Sequence, residues 1–97
     1  MRFRILIAPQ AMVDLRRLGA RDRATILDAI ETHLAFQPER TSRSRIKRLV
    51  GLRRPQYRLR VGQLRVFYDI KARDVQVLRI LPKRNVEWWL REEGEGS

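Results

Sequence analysis

Three arginines that could bind an anion lie within eight residues of one another, at Arg58, Arg60 and Arg65. Around them, apolar and polar residues alternate over residues 57–61 and 64–70, which predicts two strands with one buried face. Gly62 and Gln63 fit a two-residue type II′ turn, and the resulting register places Arg60 directly opposite Arg65. Like charges in that position cost about 0.2–1 kcal/mol. The spacing therefore predicts an anion site, with a merely solvated outer face as the alternative.

The basic residues of the chain are concentrated around these arginines. Between Arg40 and Tyr68 there are ten basic residues and no acidic one, whereas the remainder of the chain has 12 basic and 11 acidic residues. A localised basic stripe attracts polyanions, and the planar guanidinium of arginine suits phosphate. Nucleic acid is therefore the predicted partner, although a GC-rich genome would also enrich arginine.

Several kinds of site are excluded or disfavoured by composition. The chain has no cysteine, so it has no disulfide, no thiolate nucleophile and no cysteine-ligated zinc. His33 is the only histidine, and it lies beside the apolar stripe of a helix. We therefore predict that it lies at the boundary between core and surface and is not catalytic. We predict no cofactor and no metal. The apolar run at residues 5–8 is too short for a signal sequence, so we predict a cytoplasmic protein with no membrane contact.

The elements that must position the arginines follow from periodicity. Residues 2–7 alternate as a strand, and Pro9 suits the first turn of a helix that Gly19 ends. A second helix is predicted over residues 21–36, and a short terminal helix is predicted from an N-cap at Asn85 to Glu92. The expected inward residues of the second helix are Ile26, Leu27, Ile30 and Leu34, and those of the terminal helix are Val86, Trp89 and Leu90.

The order of these elements predicts the fold. Strand periodicity over residues 57–61, 64–70 and 75–81 gives a three-stranded meander, so the chain reads β-α-α-β-β-β-α. This order predicts a single α+β domain over residues 1–97: an antiparallel sheet with a helical hairpin packed on one face. The other face, which carries Arg58, Arg60 and Arg65, is predicted to be open; we call it the basic face.

One stretch resembles a known family. The run Pro-Gln-Tyr-Arg-Leu-Arg-Val-Gly-Gln-Leu-Arg-Val-Phe-Tyr-Asp-Ile at residues 55–70 is similar to the central motif of the RelE/ParE superfamily, the toxins of bacterial type II toxin–antitoxin modules. The resemblance extends over nearly the whole chain, including the helical hairpin and the Lys83-Arg84 pair after the last strand. It implies a RelE-like microbial RNase fold and a cognate antitoxin that covers the basic face.

The resemblance implies two alternative activities. RelE-like members cut messenger RNA in the ribosome, and we take this endoribonuclease activity as the first expectation. ParE-like members inhibit DNA gyrase without catalysis, and a third possibility is a member that only binds its antitoxin. By motif position the implied catalytic residues are Arg58, Arg60, Arg65 and Arg84. The residues implied for RNA binding are Arg45, Lys47, Arg48, Arg53, Arg54, Lys83 and Trp88.

The sequence departs from the RelE pattern in its proton-transfer groups. Attack of a ribose 2′-hydroxyl on phosphate needs a base and an acid, and arginine is a poor base because its pKa exceeds about 12. No tyrosine or histidine follows Lys83, although the terminal helix of RelE-like proteins often carries one. The remaining candidates for proton transfer are Lys47, Lys83 and Glu87.

Overall fold

The computed structural model describes residues 1–96, so Ser97, the last residue of the predicted domain, lies outside the described residues. The predicted order β-α-α-β-β-β-α is present, with three short strands added to it. The elements are β1 (Arg4–Ile7), α1 (Pro9–Arg17), α2 (Ala20–Leu34), β2 (Ile46–Arg48), β3 (Leu52–Arg54), β4 (Tyr57–Val61), β5 (Leu64–Lys71), β6 (Asp74–Pro82), α3 (Lys83–Glu93) and β7 (Glu95–Gly96).

The main sheet has five strands in the order β1-β6-β5-β4-β2, and β3 pairs separately with β7. The α+β class is confirmed, but the sheet is mixed because β1 runs parallel to β6. Between β1 and β6 the chain forms the helical hairpin and the strands β2 to β5. A parallel pair of strands needs a long connection of this kind. In the described part of the chain, no helix is long and apolar enough to cross a membrane.

The predicted register between the first two strands of the meander, β4 and β5, is confirmed at every position. Arg60 pairs with Arg65 and Leu59 with Val66, and the same register continues to Tyr57 and Tyr68. Gly62 has a φ of +58°, which the first central position of a type II′ turn requires, and Gln63 has no positive φ. A two-residue turn is therefore enough to determine which side chains share each face of the sheet.

The helical hairpin covers one face of the sheet, as predicted. Leu59 and Val66 are fully buried there against residues of α1 and α2, including Leu15 and Ile30. Leu27 was predicted to face inward, and this was wrong, because its side chain is 46% exposed. Ala29 takes its place, since the buried stripe of α2 follows the spacing of Ile26, Ala29, Ile30 and Leu34.

The basic face is open over only part of its area, which corrects the prediction that the whole face is exposed. Phe67 and Leu81 lie on this face and are buried by Trp89 of α3, whose ring centroid is 4.9 Å from that of Phe67. Val86 and Leu90 pack against the same cluster. The predicted apolar stripe of the terminal helix is thus confirmed. It packs against the apolar surface that Phe67 and Leu81 form on this face.

The start of α3 differs from its prediction. The helix begins at Lys83, with Pro82 in extended conformation as the N-cap residue, so Asn85 is not the cap. The helix follows β6 without a loop, because Pro82 is both the last residue of that strand and the N-cap. Its N-terminus therefore lies beside the β4–β5 turn, where the Lys83 N–H donates to the Gln63 carbonyl at 2.8 Å.

Candidate functional site

The basic face carries four basic side chains that strand register aligns. Arg60 lies opposite Arg65 across β4 and β5, and Lys47 lies opposite Arg58 across β2 and β4. Opposite residues in an antiparallel pair project from the same face. The cluster formed by Arg58, Arg60 and Arg65, with Lys47 beside it, therefore shares the basic face, on which Arg60 and Lys47 are exposed. We call the three arginines the arginine cluster.

Arg65 is the most buried member of the cluster, at 7% exposure. Its Nη1 donates to the carbonyl oxygen of Gly62 at 2.8 Å and to that of Leu64 at 2.9 Å. Burial lowers the pKa of Arg65, and the charge of Arg60 lowers it further. The guanidinium is therefore held against the β4–β5 turn, with the Nη1 group donating to protein backbone.

Arg58 is half-buried, and its Nε is buried with no hydrogen-bond partner in the described residues. Burial lowers the pKa of this side chain, and the charges of Arg65 and Arg60 lower it further. Buried donors are nearly always paired in native proteins, and an unpaired one usually indicates a missing ligand, water or functional strain. The arrangement therefore holds positive charge that no carboxylate among residues 1–96 compensates by an ion pair.

Arg60 is exposed, and none of its side-chain atoms donates to another described residue. Its backbone N–H donates to the carbonyl oxygen of Arg45 at 2.8 Å, which ties the connector after α2 to β4. Arg60 and Arg45 line a small cleft together with Ser44 and Gly62. This cleft extends the basic face toward the connector.

A second cleft lies at the same end of the sheet, at the start of α3. It is lined by Lys83, Arg84 and Glu87 of the helix and by Gln63 and Leu64 of the meander. Trp88 follows Arg84 by about one helical turn and is 57% exposed. The predicted residues Lys83, Arg84 and Trp88 are therefore neighbours on α3, next to the turn that also holds Arg65.

Three of the predicted RNA-binding arginines lie away from the cluster. Arg48 pairs with Tyr57 in the sheet and stacks over its ring at 5.1 Å, on the face that packs against the helical hairpin. The side chains of Arg53 and Arg54 form ion pairs with Glu95 at 2.8 Å and with Asp69 at 2.9 Å. Asp69 follows Arg65 by four residues, a separation of roughly 13 Å along β5.

The groups that could transfer a proton lie mostly on the other side of the sheet. Tyr57 and Tyr68 pack with the helix-facing core, and the hydroxyl of Tyr68 donates to the Pro38 carbonyl at 2.6 Å. Burial raises the pKa of Tyr68 well above its ordinary range. His33 lies in a groove with Phe36 and Arg45, where burial lowers its pKa. On the basic face itself, Lys47, Lys83 and Glu87 remain the candidates.

No group of three potential metal ligands occurs among residues 1–96.

Two features of the site do not follow from the predicted strands and helices. The carbonyl oxygens of Gly62 and Leu64 are the acceptors that hold Arg65, and periodicity does not indicate backbone acceptors. The cover provided by α3 was signalled by Phe67, an apolar residue at a position where the alternation predicts an exposed side chain.

Comparison with solved structures identifies relatives of the fold. The chain is similar to the RelBE2 toxin–antitoxin complex of Mycobacterium tuberculosis, with a TM-score of 0.64 and 22% identity over 84% of this chain and 99% of that one. It is also similar to the RelB–RelE antitoxin–toxin complex of Methanococcus jannaschii, with a TM-score of 0.65 and 21% identity over 87% and 96% of the two chains. A third similar structure is the RelE–RelB complex of Pyrococcus horikoshii, with a TM-score of 0.56 and 20% identity over 86% of this chain and 97% of that one.

Comparison of sequences identifies the family. No curated protein sequence matches the chain significantly. A family model described as the ParE toxin of the type II toxin–antitoxin system, parDE, matches residues 5–87. That match includes most of β1, both helices of the hairpin, the whole meander and the start of α3. The chain therefore belongs to the ParE toxin family and is a toxin of a type II toxin–antitoxin system.

Proposed function

We propose that this toxin acts on DNA gyrase by binding, without cleaving RNA. One observation supports the proposal most directly: in the described part of the basic face, no tyrosine or histidine lies near the arginine cluster. Both tyrosines and the only histidine pack on the helical side of the sheet. The family match to ParE toxins supports the same activity.

The chemistry of RNA cleavage explains why this absence matters. Removal of a 2′-hydroxyl proton needs a base with a pKa near the working pH, and the departing 5′-oxygen needs an acid. Arginine stays protonated at all physiological pH values, so it stabilises developing charge but does not accept a proton. A cluster of arginines alone is better suited to holding an anionic or polar partner than to proton transfer.

The second candidate is a RelE-like, ribosome-dependent endonuclease that cuts messenger RNA. It is favoured by the convergence of Arg58, Arg60 and Arg65 on one face, with Arg65 rigidly held. In this alternative those arginines and Arg84 stabilise the transition state, and Lys83 or Glu87 transfers protons from the neighbouring cleft. A fixed donor of this kind typically contributes a hundredfold or more in rate.

We also infer that a cognate antitoxin neutralises the toxin by covering the basic face. The family is defined by a toxin–antitoxin system, and the solved relatives are toxin–antitoxin complexes. The net charge of +11 is concentrated around the uncovered part of the sheet, so an acidic partner is favoured there. Co-purification of the toxin with the product of a flanking gene tests this inference.

The test of the proposed function uses the purified toxin in two assays. One assay follows supercoiling of relaxed plasmid by gyrase, and the other follows cleavage of messenger RNA on programmed ribosomes. We expect inhibition of supercoiling at toxin concentrations comparable to that of gyrase, and intact messenger RNA. Cut messenger RNA with unaffected gyrase would replace this proposal with the RelE-like one. If neither assay responds, the chain only binds its antitoxin.

A further inference from the structure

A groove lies where α2 ends and the connector to β2 begins, away from the basic face. Its volume is about 450 Å³, a size that holds a small organic ligand. The lining includes His33 and Phe36, two arginines of the connector, Arg40 and Arg45, and the hydroxyl group of Ser42. In the described part of the chain no acidic residue lines this groove, so its charge is positive.

The two arginines of the groove are not neutralised by the chain. All five ion pairs within residues 1–96 use other arginines. Arginines that follow a helix often bind its last carbonyl oxygens, and Arg23 does so after α1, donating to the Leu18 carbonyl at 2.8 Å. After α2, among the same described residues, the guanidinium of Arg40 donates only to the Gln37 side chain, and Arg45 donates only through its backbone N–H. Both guanidinium groups are therefore available to an external anion.

Phe36 provides an aromatic surface beside these charges. It follows the C-cap residue of α2, is 54% exposed and belongs to neither of the two buried clusters. The guanidinium of Arg2 lies 5.6 Å from its ring centroid, and Arg2 is itself paired with Glu31. An aromatic ring exposed beside positive charge is suited to stacking on a nucleobase, a contact that contributes about 1–3 kcal/mol in single-strand recognition.

Ser42 adds a hydroxyl group whose position is fixed. Its Oγ accepts the backbone N–H groups of Arg45 at 3.0 Å and of Ile46 at 3.2 Å. A serine hydroxyl has two acceptor sites and one donor. The two backbone N–H groups occupy the acceptor sites, so the O–H remains to donate to a ligand. Hydroxyl and guanidinium donors are the groups that commonly bind phosphate oxygens.

His33 lies in the groove as a neutral imidazole at pH 7. Burial lowers the pKa of its side chain, the charge of Arg45 lowers it further, and the carboxylate of Asp28 opposes these effects. A phosphate bound to Arg45 would cancel part of the repulsion between that guanidinium and the imidazolium. His33 therefore reports directly on whether an anion occupies the groove.

We propose that this groove binds a nucleotide, with the base stacked on Phe36 and the phosphate held by Arg45, Arg40 and the Ser42 hydroxyl. A carboxylate side chain has no ring for the aromatic surface, and inorganic phosphate would occupy only the basic part of the groove. The same chemistry is present in a free nucleotide and in one nucleotide of a single strand. The proposal goes beyond the proposed function and does not depend on the target of the toxin.

The test titrates the untagged toxin with AMP and follows the imidazole signals by proton NMR, which come from one residue because His33 is the only histidine. We expect saturable shifts and a rise in the pKa of His33, since a nearby phosphate favours the imidazolium. Adenosine and inorganic phosphate should each bind about tenfold more weakly than AMP, or weaker still. Imidazole signals that do not respond to AMP, or phosphate that binds as tightly as AMP, would overturn the proposal.

Three variants test which side chains hold the nucleotide. Phe36→Leu should weaken AMP binding about fivefold or more, and Arg45→Met should weaken it about tenfold or more. Arg43→Met is the control, because Arg43 is exposed in the same connector and lies outside the groove; its effect should stay below about twofold. Equal losses in Arg43→Met and Arg45→Met would overturn the proposal, since binding would then depend on net charge alone.

Thermal unfolding without AMP shows whether the variants fold. All three replaced side chains are exposed, so each Tm should match that of the parent. If Arg45→Met alone unfolds, the comparison of Phe36→Leu with the parent still decides the outcome. Phe36→Leu that binds AMP as tightly as the parent would exclude stacking and overturn the nucleotide site.

A last titration separates the two sources of the nucleotide. Single-stranded decadeoxyadenylate replaces AMP, and its binding is compared in the parent and in Phe36→Leu. Binding about tenfold tighter than that of AMP, with the same loss in Phe36→Leu, supports a site for one nucleotide of a strand. Equal affinity for both ligands, again lost in Phe36→Leu, supports a site for the free nucleotide. Binding of both ligands that Phe36→Leu leaves unchanged would place them outside the groove and overturn the proposal.

Discussion

At the scale of single residues, the arginines of this toxin differ in what their guanidinium groups contact. Arg79 and Arg54 are neutralised by buried carboxylates, so they contribute to the fold. Arg65 donates to backbone carbonyls, whereas the buried Nε of Arg58 has no hydrogen-bond partner among the described residues. Burial of these two positively charged side chains therefore has a cost in desolvation free energy. Exposed Arg60 carries no such cost. Toxicity and stability should therefore respond differently to substitution of each.

The first prediction compares three alanine variants. Arg60→Ala should lower toxicity and leave the free energy of unfolding within about 0.5 kcal/mol of the parent, because its side chain makes no contact that folding requires. Arg65→Ala should lower toxicity and also lower the free energy of unfolding by about 1–3 kcal/mol, since two charge-assisted hydrogen bonds to the turn are lost. Arg43→Ala, in the exposed connector, should remain toxic.

Colony counts after induction and urea unfolding measure these two properties. Arg60 would be excluded from the working surface if Arg60→Ala were as toxic as the parent. The structural role of Arg65 would be excluded if Arg65→Ala unfolded at the same urea concentration as Arg60→Ala.

The second prediction concerns Tyr68, whose buried hydroxyl donates to the Pro38 carbonyl. Burial, reinforced by Tyr57 and Glu39, raises the pKa of Tyr68 above the ordinary value of 10.0. The unfolded chain releases this proton near pH 10 and the folded chain retains it. The contribution of Tyr68 to the free energy of unfolding is therefore constant below about pH 10, and it falls by about 1.4 kcal/mol for each pH unit above that value.

Tyr68→Phe should be less stable than the parent at neutral pH, by about 1–3 kcal/mol, because the Pro38 carbonyl loses its donor. Above about pH 10 this deficit should shrink by about 1.4 kcal/mol for each pH unit, since phenylalanine has no proton to lose. Urea unfolding at a series of pH values measures the deficit. A deficit that stays constant through this range would contradict the burial of an ionisable hydroxyl.

At the level of secondary-structure elements, α1 binds the edge of β6 beyond the end of β1. The pairing of β1 with β6 stops at Val77, and the Ala8 N–H donates to the carbonyl oxygen of that residue. Further along β6, the edge N–H of Ile80 donates to Asp14 of α1 at 2.8 Å. Asp14 also binds Arg79 through two hydrogen bonds, and Arg79 lies over the ring of Trp89. One carboxylate thus links α1, β6 and α3.

The third prediction follows from this link. Asp14→Ala should lower the free energy of unfolding by about 3–5 kcal/mol, because it leaves Arg79 and the Ile80 N–H without their acceptor. Asp14→Asn should cost less, since the amide oxygen can still accept one hydrogen bond. Asp28→Ala, at an exposed position of α2, is the control and should change stability by less than about 0.5 kcal/mol. Equal losses for Asp14→Ala and Asp28→Ala would exclude the link.

The elements also differ in how far the sequence predicts them. Strand alternation and Gly62 were enough for the meander register, because a two-residue turn leaves one pairing that buries Leu59 and Val66 together. The parallel position of β1 depends on contacts about 70 residues apart and has no local signal. The link from Asp14 to Arg79 is of the same kind, since 65 residues separate its partners.

The candidate site was predictable in part for the same reason. Register placed Arg58, Arg60 and Arg65 on one face, and the structure has them there. The burial of Arg65 and of the Nε of Arg58 depends on side-chain conformations and on the turn carbonyls, which alternation does not specify. Arg48, Arg53 and Arg54 belong to the same basic segment but lie elsewhere, because charge composition alone does not determine a face.

At the scale of the whole molecule, the distribution of charge separates a working surface from a scaffold. The helical hairpin and β1 have nearly balanced charges, whereas the segment from Arg40 to Tyr68 has only basic ones. The field of that segment steers acidic partners to the uncovered part of the basic face. We therefore expect the antitoxin and the proposed cellular target to bind overlapping parts of this surface.

Expression of the toxin alone in bacteria, with DNA and protein synthesis followed by pulse labelling, tests directly whether gyrase is the target. If the toxin acts on gyrase without cutting RNA, thymidine incorporation falls first, amino-acid incorporation continues, and ribosome-bound messenger RNA remains intact. Gyrase would be excluded as the target if amino-acid incorporation stopped first and messenger RNA on the ribosomes were cut while DNA synthesis continued.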